Sequence, residues 1–190
     1  MSKTYISANE FLVDSWKLAK AVRESGWRPD WLVGLWRGGA FAATSVHEYL
    51  KVTGWNLRHV PVKCSSYSGL DEHTGRVEFT LGDETFALFR PGERILAIDD
   101  VFDTGRTAEA LFAKLRPLGL DLRLATVYWK PERNATSMKP DYFVRDVGSE
   151  WIVFPHEIEG LTNEEILEKS PVLAEMLSHA HVLADAQLHH

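Results

Sequence analysis

The sequence predicts a single-domain α/β protein, with a central, mostly parallel sheet flanked by helices and a small cap formed by its C-terminal part. Three observations carry this. Strand-like apolar runs alternate with helical patterns between Trp31 and Trp129, the arrangement of successive β-α-β units. The chain has 190 residues, which suits one domain of the usual roughly 100 to 200 residues with at most a small appended element. After Pro140 the alternation gives way to two short apolar segments and a short helix.

Each element has a local reason. Ser7 followed by Glu10 reads as a capping box, and Phe11, Leu12, Leu18, Ala19 and Val22 then recur at helical spacing until Gly26 and Pro29 interrupt. Trp31–Leu35 is an apolar strand, Arg37-Gly38-Gly39 a loop, and Ala40–Leu50 a helix. Leu57–Val62 reads as a second strand. From Cys64 to Asp83 the chain turns polar and rich in Ser and Gly, with only Val77–Leu81 strand-like, so a long excursion is expected; such loops are usually functional or disordered. Arg94–Ile98 is a buried strand, Thr107–Leu115 a helix with Ala108, Leu111, Phe112 and Leu115 on one face, and Leu122–Trp129 another buried strand. Tyr142–Val144 and Trp151–Phe154 are expected in the cap. Thr162 with Glu165 caps a short helix that Pro171 interrupts and restarts.

Composition narrows the function classes. Hydrophobic residues make up 45% and charged residues 25%, with 13 Gly and 8 Pro, a soluble globular composition. Twenty-one Lys and Arg against 27 Asp and Glu give a net charge of -6, which disfavours nonspecific nucleic-acid or membrane-surface binding and favours small molecules or other protomers as partners. Cys64 is the one cysteine, so no disulfide within the chain or paired-cysteine zinc site is available, and a reducing, cytoplasmic location is expected. The N-terminal MSKTYISANEF has no signal-peptide pattern, and no apolar run approaches the ~18 residues that cross a bilayer. His179, His181, His189 and His190 crowd the C-terminus and read as a bland tail.

The chemistry is concentrated in LAIDDVFDTGRT, Leu96 to Thr107. In an open parallel sheet, ligands bind at the carboxyl ends of the strands. After the strand, Gly105 permits close backbone approach, the next helix opens with free amides, and Thr104 and Thr107 add hydroxyls, the requirements of a phosphate cradle. The chain has neither a Walker loop nor a GxGxxG fingerprint, so this phosphate belongs to something other than a typical NTP or dinucleotide. Asp99 and Asp100 disfavour each other's ionisation and suit a cation or sugar hydroxyls, a solvated strand end being the alternative. Arg37 beside two glycines offers a charge-assisted fork for a diphosphate; a tight turn with a surface Arg is the bland use of the same residues.

This string resembles the signature of the type I phosphoribosyltransferases. In that family the two acids contact the ribose hydroxyls of phosphoribosyl pyrophosphate (PRPP) and the turn binds its 5′-phosphate, which implies those roles for Asp99 and Asp100 and for Asp103, Thr104, Gly105, Arg106 and Thr107. Trp36, Arg37, Gly38 and Gly39 resemble the pyrophosphate loop, which in similar proteins contains a non-proline cis peptide, here Trp36–Arg37. Ser65, Ser66 and Tyr67 resemble the start of the flexible catalytic loop, expected to close as a lid. Lys130 with Trp151, Ile152 and Pro155 resembles the purine site of the xanthine, guanine and hypoxanthine enzymes: Lys130 would donate to the purine 6-oxygen and Trp151 would stack on the base, a surface Lys and a core Trp being the alternatives. Glu157 matches an acid that helps hold a metal, with a salt bridge as the competing use. The chain departs from the pattern at His156, where many bacterial members carry an aromatic residue, and the base preference stays open there.

The resemblance covers Trp31 to Glu157. It implies the type I phosphoribosyltransferase fold, with a core of about residues 27–140 and a hood of about 141–190 that the N-terminal helix would join. It further implies Mg²⁺-dependent transfer of the phosphoribosyl group from PRPP to a 6-oxopurine, giving the nucleoside monophosphate and pyrophosphate. Asp103 would accept the purine proton, Arg37 would neutralise the leaving group, and Asp99, Asp100 and Glu157 would face the metal. A homodimer or homotetramer is expected. The rival is a regulator that senses PRPP or a purine on the same fold without chemistry; about thirty residues before the first strand and a net charge of -6 together disfavour a DNA-binding repressor.

Overall fold

The computed structural model describes residues 3–66, 77–79 and 83–178. Six strands form the main sheet in the order β4-β3-β2-β5-β6-β7: β2 (Trp31–Trp36), β3 (Arg58–Ser66), β4 (Val77–Phe79), β5 (Arg94–Phe102), β6 (Asp121–Trp129) and β7 (Tyr142–Asp146). All neighbours are parallel except β3 and β4. A separate parallel pair joins β1 (Lys3–Tyr5) to β8 (Trp151–Val153), with Lys3 opposite Trp151.

Period-two alternation sends side chains to two cores. Leu32, Leu96, Ile98, Ala125 and Val127 pack under α1 (Ala8–Glu24) and α2 (Gly38–Val52), together with Ile152 and Phe154 of the cap. Val33, Leu35, Ile95, Ala97 and Leu124 face the other way, against Ala108, Leu111, Phe112 and Leu115 of α4 (Arg106–Leu115). The short α3 (Asp83–Phe86) precedes β5, and α5 (Asn163–Lys169) follows the cap strand. Strand order reverses at β2: β3 lies on one side and β5 on the other. That switch point opens a crevice at the carboxyl ends of β2 and β5, the place where doubly wound sheets bind ligands.

Several expectations change. β5 runs on to Phe102 instead of ending at Ile98, so Asp99 and Asp100 are strand residues on opposite faces of the sheet. α2 begins at Gly38 and α4 at Arg106, each slightly earlier than the apolar pattern suggests. Tyr142–Asp146 is not part of the cap, because it pairs with β6 as the sheet's last strand; the hood consists instead of β1, β8 and α5. Only half of the first capping box forms. Ser7 Oγ accepts the Glu10 N–H at 3.1 Å, but the Glu10 carboxylate turns to Arg145 at 2.7 Å. The Thr162–Glu165 box is complete, and helix resumes over residues 171–178. Residues 67–76 and 80–82, with Tyr67 and most of the expected lid, and the histidines from 179 on lie outside the described residues, while Ser65 and Ser66 end β3.

Candidate active site

Two loops at the switch point build the site. The first leaves β2 at Trp36, passes through a cis Trp36–Arg37 peptide and enters α2 directly. Its glycines lie in close contact with β5. A Cβ on Gly39 would lie 2.5 Å from the Ile98 carbonyl oxygen, and one on Gly38 would lie 1.8 Å from Asp100 Oδ2. The start of α2 therefore rests on the acidic end of β5. Arg37 is 73% exposed and pairs with Glu159 at 3.0 Å.

The second loop leaves β5 at Phe102 and enters α4 through Gly105, whose φ of +80° and lack of space exclude a side chain: a Cβ would meet Thr136 Oγ1 at 2.5 Å. Among the described residues no side chain caps the N-terminus of α4, whose first amides suit an anion. Asp103, Thr104, Gly105 and Thr107 line a recess of about 70 Å³ together with Asp99 and Thr126. Thr126 is fully buried and its hydroxyl has no hydrogen-bond partner among the described residues. Buried hydroxyls without partners are uncommon in folded proteins. Arg106 points to solvent.

The two loops meet in a cleft of about 700 Å³ lined by, among others, Arg37, Gly38, Asp99, Asp100, Thr107 and Glu157. Six sequence-predicted residues thus share one cavity, and Asp99 and Thr107 connect it to the recess. Glu157 Oε2 accepts the Phe154 N–H at 3.0 Å, which holds its carboxylate at the cleft wall. Asp103 sits between two cations, Lys130 at 3.3 Å and Arg133 at 2.6 Å. Lys130 is buried at 7% exposure, and its backbone N–H donates to the Phe102 carbonyl at 2.9 Å.

The purine residues are placed unevenly. Trp151 is 53% exposed on β8, with Lys3 Nζ 5.7 Å from its ring centroid, and it lines neither cavity. Ile152 is 5% exposed inside the core, so its side chain is committed to packing and only its main chain is left for a ligand. Sequence reasoning missed three neighbours: Arg133 on Asp103, Thr126 under the recess, and the contact of His156 with Asp100 at 3.3 Å. Nothing local marks Arg133 or Thr126. His156 was visible only as a departure from a pattern.

Burial and then the Asp100 charge hold the Asp99 carboxyl well above the ordinary carboxylate range. The folded value exceeds the unfolded one, so this group costs no stability at acid pH, and its cost grows as pH rises toward the raised value. Asp99→Asn removes that cost. The variant is expected to melt about 2–4 °C higher at neutral pH, the equivalent of roughly 1 kcal/mol for a chain of this size. The difference should vanish at acid pH. Scanning calorimetry at both pH values checks it, and a lower melting temperature at neutral pH would contradict it.

Burial, with Asp99 behind it, pushes the Cys64 thiol on the cleft wall up to about 12. The thiolate fraction at pH 8 is then on the order of a thousand-fold below that of a free cysteine, only partly offset by the greater nucleophilicity of a more basic thiolate. Alkylation by iodoacetamide should be slower than for free cysteine by about fifty-fold. A rate equal to free cysteine would show an activated thiol.

Among known families, the phosphoribosyl transferase domain matches residues 3–160. A hypoxanthine-guanine phosphoribosyltransferase of Lactococcus lactis is 27% identical over 154 residues, covering 80% of this chain and 81% of that one. A xanthine-guanine phosphoribosyltransferase of Idiomarina loihiensis is 31% identical over 171 residues, covering 84% and 97%. The solved purine phosphoribosyltransferase of Pyrococcus horikoshii superposes with a TM-score of 0.67 at 27% identity, covering 85% of this chain and 99% of its own. With the family match running from β1 through the cleft-lining acids to Glu157 and beyond, this chain belongs to the phosphoribosyl transferase family.

Proposed function

We propose that this protein is a purine salvage phosphoribosyltransferase that transfers the phosphoribosyl group of PRPP to a 6-oxopurine: xanthine, guanine or hypoxanthine. One observation carries the reading. The phosphate recess, lined by Asp103, Thr104, Gly105 and Thr107, shares Asp99 and Thr107 with the cleft that holds Asp100, Arg37 and Glu157, and Asp103 pairs with Lys130 at 3.3 Å, so groups suited to a 5′-phosphate, a ribose diphosphate and a base adjoin one another.

In this reading the bond from ribose C1 to the pyrophosphate oxygen breaks and a bond from C1 to a purine ring nitrogen forms. Pyrophosphate leaves with the electron pair, and the proton on the purine nitrogen passes to Asp103 and on to solvent. The α4 amides with Thr104 and Thr107 hold the 5′-phosphate. Asp99 and Asp100 orient the ribose. Arg37 and the first amides of α2 meet the diphosphate, where charge builds as C1 gains oxocarbenium character.

Among the described residues no three His, Cys, Asp or Glu side chains converge to hold a metal ion. Asp99, Asp100 and Glu157 all line the cleft, so one or two of these carboxylates would join water and phosphate oxygens around a Mg²⁺. When bound, that ion would neutralise charge on the diphosphate. No described helix is long and apolar enough to cross a membrane. A cytoplasmic homodimer or homotetramer completes the proposal.

Turnover measured with xanthine, guanine, hypoxanthine and adenine tests it. Lys130 can donate to an oxygen at purine position 6 but meets a repulsive donor in adenine, so adenine should be slower by about 10²-fold or more. Lys130→Ala should lower 6-oxopurine use strongly, and Trp151→Ala should weaken every base that binds. Efficient use of adenine by the unmodified protein would refute the assignment.

A further inference from the structure

We propose that His156 is a positioning residue for Asp100, and that its imidazole sets the affinity of the site for the ribose diphosphate. His156 Nε2 stands 3.3 Å from Asp100 Oδ2, with both side chains nearly buried at 13% and 12% exposure. The other carboxylate oxygen, Oδ1, accepts the Val101 N–H at 2.8 Å. One carboxylate oxygen is thus hydrogen-bonded and the other faces the imidazole, with Gly38 beneath, where a Cβ would come 1.8 Å from Oδ2 and push the carboxylate aside.

Aromatic neighbours fix the imidazole in turn. Phe41 of α2 stacks on it at 4.8 Å between centroids and 8° between planes, and Phe154 of the cap lies at 5.5 Å and 20°. Phe11 of α1 closes in at 6.0 Å. Nδ1 is buried without a partner, so Asp100 is the polar group that the ring meets among the described residues. A histidine kept for packing alone would leave its orientation toward Asp100 without consequence. Here the stack decides where Nε2 points, and Nε2 decides where the carboxylate stays. Because Phe41 belongs to the helix after the Arg37 loop and Phe154 to the hood, the placement of Asp100 depends on both being seated.

The consequence for ligand affinity rests on the PRPP reading above, and the test separates the two. His156→Phe keeps a stacking ring and removes the nitrogen; His156→Gln returns an amide donor at about the reach of Nε2. Calorimetric titration with PRPP and Mg²⁺ should give a dissociation constant about ten-fold higher for His156→Phe, restored to within about three-fold by His156→Gln. In an Asp100→Asn background, His156→Phe should add less than about two-fold, because the two residues act as one unit. Equal affinity of wild type and His156→Phe, or a ten-fold effect that persists in the Asp100→Asn background, would overturn the proposal. A wild-type protein that fails to bind PRPP would overturn the functional reading instead. The positioning role is then read without ligand, from hydrogen exchange at the Val101 amide. Exchange should quicken in His156→Phe by about ten-fold or more; an unchanged rate would remove His156 from the placement of Asp100.

Discussion

Asp103→Asn is expected to lower turnover by about ten-fold or more, the range of a lost general base, while PRPP binding changes little. Asp103 is the one acid of the site held between two cations, Lys130 at 3.3 Å and Arg133 at 2.6 Å, at the point where the recess gives way to the end of β6. The amide oxygen still accepts from one of the two cations, so the loop keeps an anchor, while the second acceptor and the capacity to take a proton are lost. The ribose acids and the helix amides of α4 are untouched, which is why affinity for PRPP should hold. Steady-state rates paired with PRPP titrations separate the two effects, and wild-type turnover in the variant would remove Asp103 from the mechanism.

The second large effect divides two adjacent glycines. Gly39→Ala drives its Cβ into backbone, 2.5 Å from the Ile98 carbonyl oxygen and 2.8 Å from Asp99 Cα, so α2 must lift from β5. A loss of about 3 kcal/mol is expected, at the upper end for overpacking. Gly38→Ala meets the Asp100 carboxylate, 1.8 Å from Oδ2 and 2.4 Å from Cγ, and a side chain can swing aside. That variant should fold with a modest loss but bind PRPP more weakly by about 10- to 100-fold, the worth of one charged hydrogen-bonding group. Denaturant melts and PRPP titrations on both variants check the division. A Gly38→Ala protein with normal affinity would show that Asp100 does not meet the ligand.

The parts of the fold that could be read from the chain are those whose signal is local. Buried strands such as Trp31–Leu35 and the amphipathic face of α4 announce themselves by periodicity, and the glycine and threonine pattern around Gly105 announces a helix entry without a side-chain cap. What failed depends on distance. β1 is three residues long and exists through pairing with β8, some 148 positions away in register, since Lys3 faces Trp151. The last four residues of β5 look like a loop because acids replace apolar residues there, although β6 still pairs with them. Tyr142–Asp146 reads as easily in a cap as at a sheet edge. At the site, the residues of contiguous motifs came together, whereas the partners Arg133 and Thr126 lie on neighbouring segments that no motif joins, and the Asp100–His156 contact spans the cap and the sheet.

The central claim, that this crevice joins a 6-oxopurine to the ribose of PRPP, is tested most directly by phosphorus NMR of the purified protein with PRPP and Mg²⁺ as each purine is added. Addition of hypoxanthine, guanine or xanthine should convert PRPP into free pyrophosphate and a nucleoside 5′-monophosphate in equal amounts, with no pyrophosphate released before the base arrives. PRPP that binds yet stays intact with all three bases would contradict the account and leave a sensor on the same fold.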